Sequence, residues 1–329
     1  MKELLLLLCR YPYDQTNRET LSKLISEVRD WDELVRLINA HGIIALAAYN
    51  IKEAKLENKI PAESMAILEN GYRQSVVRNI WLTERWKEVN EILEKAGIKH
   101  ILLKGMALEY TIYGARGLRQ MNDNDILIKR EEAAEAWHLL QKEGFTFHTP
   151  KSPLHIKIMR DISHHLPALT KDGYSLEIHT NLFDYKTIME TDQPDLFQNC
   201  VEINADNKKA LVLQHDIHLS YLISHFERHK LAGESQLRLY SDILMLSRGN
   251  PSVEFSEQFI LNPDQKEKAE FRKAAYKAKV HFINPGYRWL FILGDLFPSI
   301  KWMKERYGCS GIRAMLYYPH RLGKLWWLI

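Results

Sequence analysis

Asp123 and Asp125 stand two residues apart, just ahead of the apolar run Ile126-Leu127-Ile128. Side chains at i and i+2 of a strand share a face, so the two carboxylates project together. Like charges that close repel, and burial makes ionisation harder still. A divalent cation relieves that cost. Magnesium takes hard oxygen ligands and keeps several waters, so it needs only a few carboxylates. Glu177 is the natural third member, because it alternates with Leu176 and Ile178 and shares its face with His179. If its strand lies beside the aspartate strand, three carboxylates converge. Such a set holds one or two metal ions, which align a nucleophile and stabilise a leaving oxygen.

Asp-x-Asp is a common pattern in solvated turns, so its context matters. Upstream, Lys104-Gly105 follows an apolar strand and opens a helix. A helix N-terminus presents amide donors and the positive end of a dipole, which favour anions. Gly105 lets a phosphate approach the backbone closely, and Lys104 adds a point charge. Arg119, four residues before Asp123, can reach a triphosphate. Arg116 in the same basic loop is the weaker candidate, since a loop arginine of this kind is ordinarily solvated.

These residues need elements to position them. Residues 1–96 read as a helical region, in which Trp31, Leu34, Leu37 and Ile38 recur at helical spacing. One long helix follows Pro61, with Leu82, Trp86, Val89 and Leu93 on one side and a bend expected near Gly71. Ile98–Leu103 is the first strand, Met106–Tyr113 a short helix, Asn122–Lys129 the second strand and Glu131–Glu143 a strong helix. Between Pro150 and Pro153 the chain reads as irregular. His164–Thr170 and Tyr174–Asn181 are joined by Lys171-Asp172-Gly173, a hairpin signal. The order implies an α+β fold with a mixed-sheet core over residues 97–205. From about Asp206 the chain reads as helical, so residues 206–329 form a second helical region. Its helices are expected at His215–Arg228, Glu234–Arg248 and Pro263–His281.

Histidine spacing adds weaker candidates. His225 and His229 lie at i and i+4 of a helix, a spacing that can bind zinc, but no HExxH arrangement or cysteine pair accompanies them. Their expected role is structural or supporting. Asp242 can orient either ring, bind an acceptor, or pair with Arg238 at i−4. His179 is a supporting candidate beside Glu177. One of His164 and His165 could face the same site.

The totals set limits. With 45 basic and 42 acidic residues the formal charge is +3 over 329 residues. Bulk charge therefore gives no argument for an obligatory nucleic-acid partner. Cys9, Cys200 and Cys309 are scattered, which fits a reducing compartment. The run Leu4–Cys9 is too short to span a membrane, which takes about 20 residues. It also lacks a cleavage signal, so a cytoplasmic location is expected. A tail rich in aromatics (Trp289, Trp302, Trp326, Trp327) could meet a partner or a membrane surface, though packing on its own domain is the expected use.

Taken together, Leu102-Leu103-Lys104-Gly105, Tyr113, Arg119-x-Met121-x-Asp123-x-Asp125-Ile-Leu-Ile and Leu176-Glu177-Ile178-His179 resemble an uncharacterised nucleotidyltransferase family of the DNA polymerase beta-like superfamily. The likeness is specific from about Ile98 to Leu182 and extends more loosely through His225, His229 and Leu237-Arg238-x-x-x-Asp242. It implies a nucleotidyltransferase fold that uses Mg2+ or Mn2+ and a nucleoside triphosphate such as ATP. Metal then falls on Asp123, Asp125 and Glu177, and phosphate on Gly105, with Lys104 and Arg119. The implied reaction transfers a nucleoside monophosphate to an acceptor the sequence does not identify. Two positions depart from the pattern. Met106 follows Gly105 where the superfamily usually has Ser, and Asn124 separates the aspartates where an apolar residue is commoner. Met106 keeps open the alternative of a nucleotide-binding or regulatory module. The aromatic tail keeps open that of a helical interaction protein.

Overall fold

The computed structural model describes the chain except residues 149, 184–194, 235–236, 250–252, 254–256, 264–267, 311–312 and 326–329. In chain order the helices and strands are α1 (Lys2–Leu8), α2 (Arg18–Ser26), α3 (Trp31–Ala40), α4 (Ile44–Glu53), α5 (Ala62–Lys95), β1 (His100–Leu103), α6 (Lys104–Thr111), β2 (Asn124–Ile128), α7 (Arg130–Lys142), β3 (Thr146–Phe147) and α8 (Pro153–Asp161). They continue with β4 (Leu169–Lys171), β5 (Tyr174–His179), β6 (Cys200–Ala205), β7 (Lys208–Leu213), α9 (His215–Leu231), α10 (Leu237–Leu246), α11 (Glu257–Leu261), α12 (Ala269–Phe282), α13 (Pro285–Leu296), α14 (Ile300–Tyr307) and α15 (Arg313–Leu325). The fold is α+β, with one mixed sheet in the order β3-β4-β5-β2-β1-β7-β6.

The chain divides into two compact units. One comprises Met1–Glu88, Leu102–Asn124 and Asn199–Arg272; the other comprises Val89–Ile101, Asp125–Gln198 and Lys273–Ile329. In the first, the apolar faces of the N-terminal helices form a core. Leu4, Leu5 and Leu8 of α1 and Leu37 and Ile38 of α3 meet Leu222 and Phe226 of α9 and Ile243 of α10. Asp30 caps α3, accepting from the Glu33 amide at 2.9 Å. Helix α5 is the one long helix expected after Pro61 and runs continuously through Gly71.

In the second unit a small apolar cluster gathers Ile158, Ile283 and Phe291. Helix α8 was not legible as one. Ser152 caps it and Pro153 takes its first turn, where a missing N–H costs nothing. Strands β4 and β5 pair antiparallel with Lys171 opposite Tyr174. The turn is therefore Asp172-Gly173 alone, both at positive φ (50° and 80°), as the tight hairpin requires.

A second hairpin corrects the expectation of helix from about Asp206. Strands β6 and β7 pair antiparallel with Ala205 opposite Lys208, around Asp206 and Asn207 at φ 54° and 69°. Asp-Asn tolerates that left-handed turn. The short run Lys208–Leu213 has no periodicity that separates strand from helix.

Trp289 on α13 is 58% exposed, whereas Trp326 and Trp327 lie outside the described residues. Among the described residues no helix is long and apolar enough to cross a membrane.

Two buried histidines make stability sensitive to acid. Burial pulls the pKa of His100 in β1 from 6.5 down to about 4. Burial, then the charges of Arg119 and His215, does the same to His218 in α9, also to about 4. The unfolded chain takes up these protons near 6.5 and the folded chain only near 4. Their contribution is therefore complete above the unfolded value and is lost as pH falls through the folded one. At 1.36 kcal/mol per decade each is worth about 3 kcal/mol. Urea midpoints measured from pH 7 to pH 4 should fall, and the fall should be shallower in His218→Leu.

Candidate functional site

Strand β2 is buried throughout, and its alternation sends successive side chains to opposite faces. Asn124 donates from Nδ2 to the Leu82 carbonyl of α5 at 3.0 Å. Asp125, 4% exposed, points the other way. His179 Nε2 lies 2.9 Å from Asp125 Oδ1 and 3.5 Å from Glu177 Oε2. One ligand atom from each of Asp125, Glu177 and His179 lies within 4.8 Å of the others. Among the described residues this is the group that could hold a metal ion. It pairs two carboxylates with an imidazole, and His179 is a member of it. The alternation of β5 that put Glu177 and His179 on one face was the signal for both.

Asp123 is not in that group. It precedes β2 and is half-buried, and its charge helps keep Arg119 and Arg238 protonated. Within that 4.8 Å group, Asp125 and Glu177 are accompanied by His179. The strand ladder starts at Asn124, and Asp123 lies just outside it.

Both His164 and His165 border the cluster. The backbone fixes them there, with Thr180 N donating to the His164 carbonyl at 2.8 Å and Leu166 N to the Ile178 carbonyl at 2.9 Å. Their rings each lie 5.9 Å from that of His179.

Lys104 opens α6 directly from β1, with φ at 45°. A non-glycine residue in that region is uncommon and often marks a functional turn. At Gly105 an added Cβ would lie 2.6 Å from Arg119 Nη1 and 2.8 Å from Met121 Cγ. The glycine thus admits the Arg119 guanidinium and the Met121 side chain to the start of the helix. Gly105→Ala should cost about 1–3 kcal/mol in chemical denaturation, because neither neighbour can retreat through a packed core. Met106, 1% exposed, packs its sulfur 3.9 Å from Thr83 Oγ1.

Arg119 is itself buried and paired. Its Nη2 donates to Asp242 Oδ2 at 2.9 Å and its Nε to the same oxygen at 3.2 Å. The Tyr113 hydroxyl donates to Asp242 Oδ1 at 2.7 Å. Burial, then the Asp242 charge, drives the Tyr113 pKa well above its usual value. Asp242 therefore orients neither His225 nor His229. Arg238, the i−4 residue, donates from Nη1 to the Gln120 carbonyl at 3.0 Å and feels the Asp242 charge, which favours its protonated form. Burial, then the neighbouring Arg119 charge, brings Arg238 down to about 10. Tyr113 was missed as Asp242's partner because 129 residues separate them.

Arg116 is anchored rather than solvated, donating to Tyr110 Oη at 2.8 Å and lying 3.6 Å from Asp206. On α9, His225 Nδ1 meets Arg228 at 2.8 Å, and His229 Nδ1 meets Glu234 at 2.8 Å. The two rings pack edge to face at 4.3 Å. Neither belongs to a three-residue metal group among the described residues.

A model described as uncharacterised nucleotidyltransferase matches residues 27–278. Among solved structures, the chain is similar to an antigenic nucleotidyltransferase-like protein from Paracoccidioides brasiliensis. The identity is 18% and the TM-score 0.33, covering 64% of this chain and 91% of that one. No curated protein matches.

Proposed function

Since the chain belongs to the uncharacterised nucleotidyltransferase family, we propose that it transfers a nucleoside monophosphate from a nucleoside triphosphate to an acceptor, with a divalent cation. The observation that carries this reading is the Asp125, Glu177 and His179 cluster. Two carboxylates and an imidazole, with donor atoms within 4.8 Å of one another, are a donor set that fits a divalent cation. Asp125 and Glu177 would hold it, with Asp123, two residues before Asp125 in the chain, as the third carboxylate. A cation there would neutralise charge on the triphosphate and align the attacking oxygen.

The chain's own groups have the remaining roles. Lys104 and the backbone at Gly105 receive the phosphates, and Arg119 is a fixed positive charge behind the glycine. Glu177, the less buried carboxylate of the cluster, takes the proton of the acceptor hydroxyl. The acceptor oxygen then bonds to the α-phosphorus, the bond to the bridging oxygen breaks, and pyrophosphate leaves. Catalysis of this kind is mainly positioning and charge neutralisation.

The test is a panel of triphosphates and acceptors with Mg2+ or Mn2+, read by pyrophosphate release and by the mass of the product. Turnover that disappears on chelation supports the reading. A second reading, a nucleotide-binding module without turnover, is favoured by the buried Met106, which offers no hydroxyl beside Gly105. Calorimetric binding of a triphosphate without pyrophosphate release across the panel would select it.

A further inference from the structure

We infer that the Asp125, Glu177 and His179 cluster takes a first-row transition-metal dication in preference to magnesium, with His179 Nε2 as a direct ligand. This rests on the metal site proposed above and specifies its ion. Oxygen donors alone would suit magnesium, which demands near-octahedral oxygen ligation and sheds its waters reluctantly. Here the nitrogen lies 2.9 Å from one carboxylate oxygen and 3.5 Å from the other. A cation drawing in both oxygens meets the imidazole as well. Imidazole suits zinc, iron, nickel and copper, and a mixed nitrogen and oxygen set raises affinity along the transition series.

The ring is held where it is. His179 is 1% exposed and ends a buried stretch of β5. The His164 and His165 rings border it, on a segment tied to β5 by the Leu166 and Thr180 amides. His165 Nδ1 is engaged with the Leu166 carbonyl at 2.8 Å. The hydrogen bond between His179 Nε2 and Asp125 Oδ1 occupies the two positions that metal ligation would use. Ligation needs the Nε2 lone pair, so the imidazole proton sits on Nδ1 in the metal-bound form and the neutral ring faces the ion through Nε2.

Mn2+ is the probe, because it is paramagnetic and replaces magnesium in phosphoryl chemistry. The full chain is titrated with Mn2+ and read by electron spin-echo spectroscopy, with Mg2+ affinity measured by competition. Modulation from a bound nitrogen is expected in the wild type and should vanish in His179→Gln. In that variant Mn2+ affinity should fall by at least the 10–100-fold that losing even an outer-shell partner costs, about one to two decades, while Mg2+ affinity changes far less. Mn2+ bound without nitrogen modulation overturns the inference and leaves the metal site standing, as does an equal loss for both ions. Failure of both ions to bind, or binding that survives Asp125→Asn, overturns the metal site and the inference together. The wild-type spectrum needs no variant, so a misfolded His179→Gln leaves the question decided.

Discussion

Asp125→Asn should lose triphosphate turnover by about a thousandfold or more while its unfolding midpoint stays close to the wild type. The asparagine keeps the shape of a side chain that is 4% exposed and retains an oxygen for the His179 hydrogen bond. What it removes is the negative charge that a cation requires. Loss of several kcal/mol of charge stabilisation, at 1.36 kcal/mol per decade, gives a change on the order of a thousandfold. Asp123→Ala tests the third carboxylate and should also abolish turnover without unfolding the chain. The measurement is pyrophosphate release at saturating triphosphate, beside a urea titration of each variant. Full activity in Asp125→Asn would remove the mechanism. Loss of activity accompanied by a collapsed midpoint would assign Asp125 to the fold instead.

The second large effect lies in the Arg119 and Asp242 pair. Their side chains are 6% and 0% exposed and lie 2.9 Å apart. Removing one partner of a buried pair leaves the other charge uncompensated, and such changes cost about 3–5 kcal/mol. Asp242→Ala should therefore lower the urea midpoint sharply, with Arg119→Ala close behind. The double variant Arg119→Met/Asp242→Leu should recover much of the loss, because apolar groups of similar volume can replace a buried pair. Tyr113→Phe should cost less, about 1.5–3 kcal/mol for one hydrogen bond to a charged group. Denaturant titration of the four proteins checks this. A double variant no more stable than either single one would mean that the network, and not the charge pairing, holds this part of the core.

The pairing bears on how Arg119 could serve a triphosphate. A guanidinium fixed by Asp242, with Nη1 pressed where a Gly105 side chain would stand, cannot swing out to a ligand. It can set a positive potential under the turn, which is a different use from the direct contact expected of a flexible loop arginine. Lys104 is half-buried at the turn, at the start of α6.

Family membership, the α+β class and the elements α3 to α7, β4 and β5, though not β3 or α8, were open to reading because each rests on short-range pattern. Helical spacing marked α3 and α5. Asp172-Gly173 marked the hairpin, and the alternation Leu176-Glu177-Ile178-His179 put the acid and the imidazole on one face. Those periodicities are properties of neighbouring residues, so the chain alone determines them.

Which groups finally meet is a property of register and packing, and only the tertiary structure decided it. His179 joins Asp125 across 54 residues, and Arg119 joins Asp242 across 123. No local spacing encodes either meeting. Asp123 shares the face of Asp125 by pattern, while the ladder begins at Asn124 and the residue that stands beside Asp125 and Glu177 is His179. Strand pairing brings side chains together one register at a time, whereas a sequence states only which face each one belongs to.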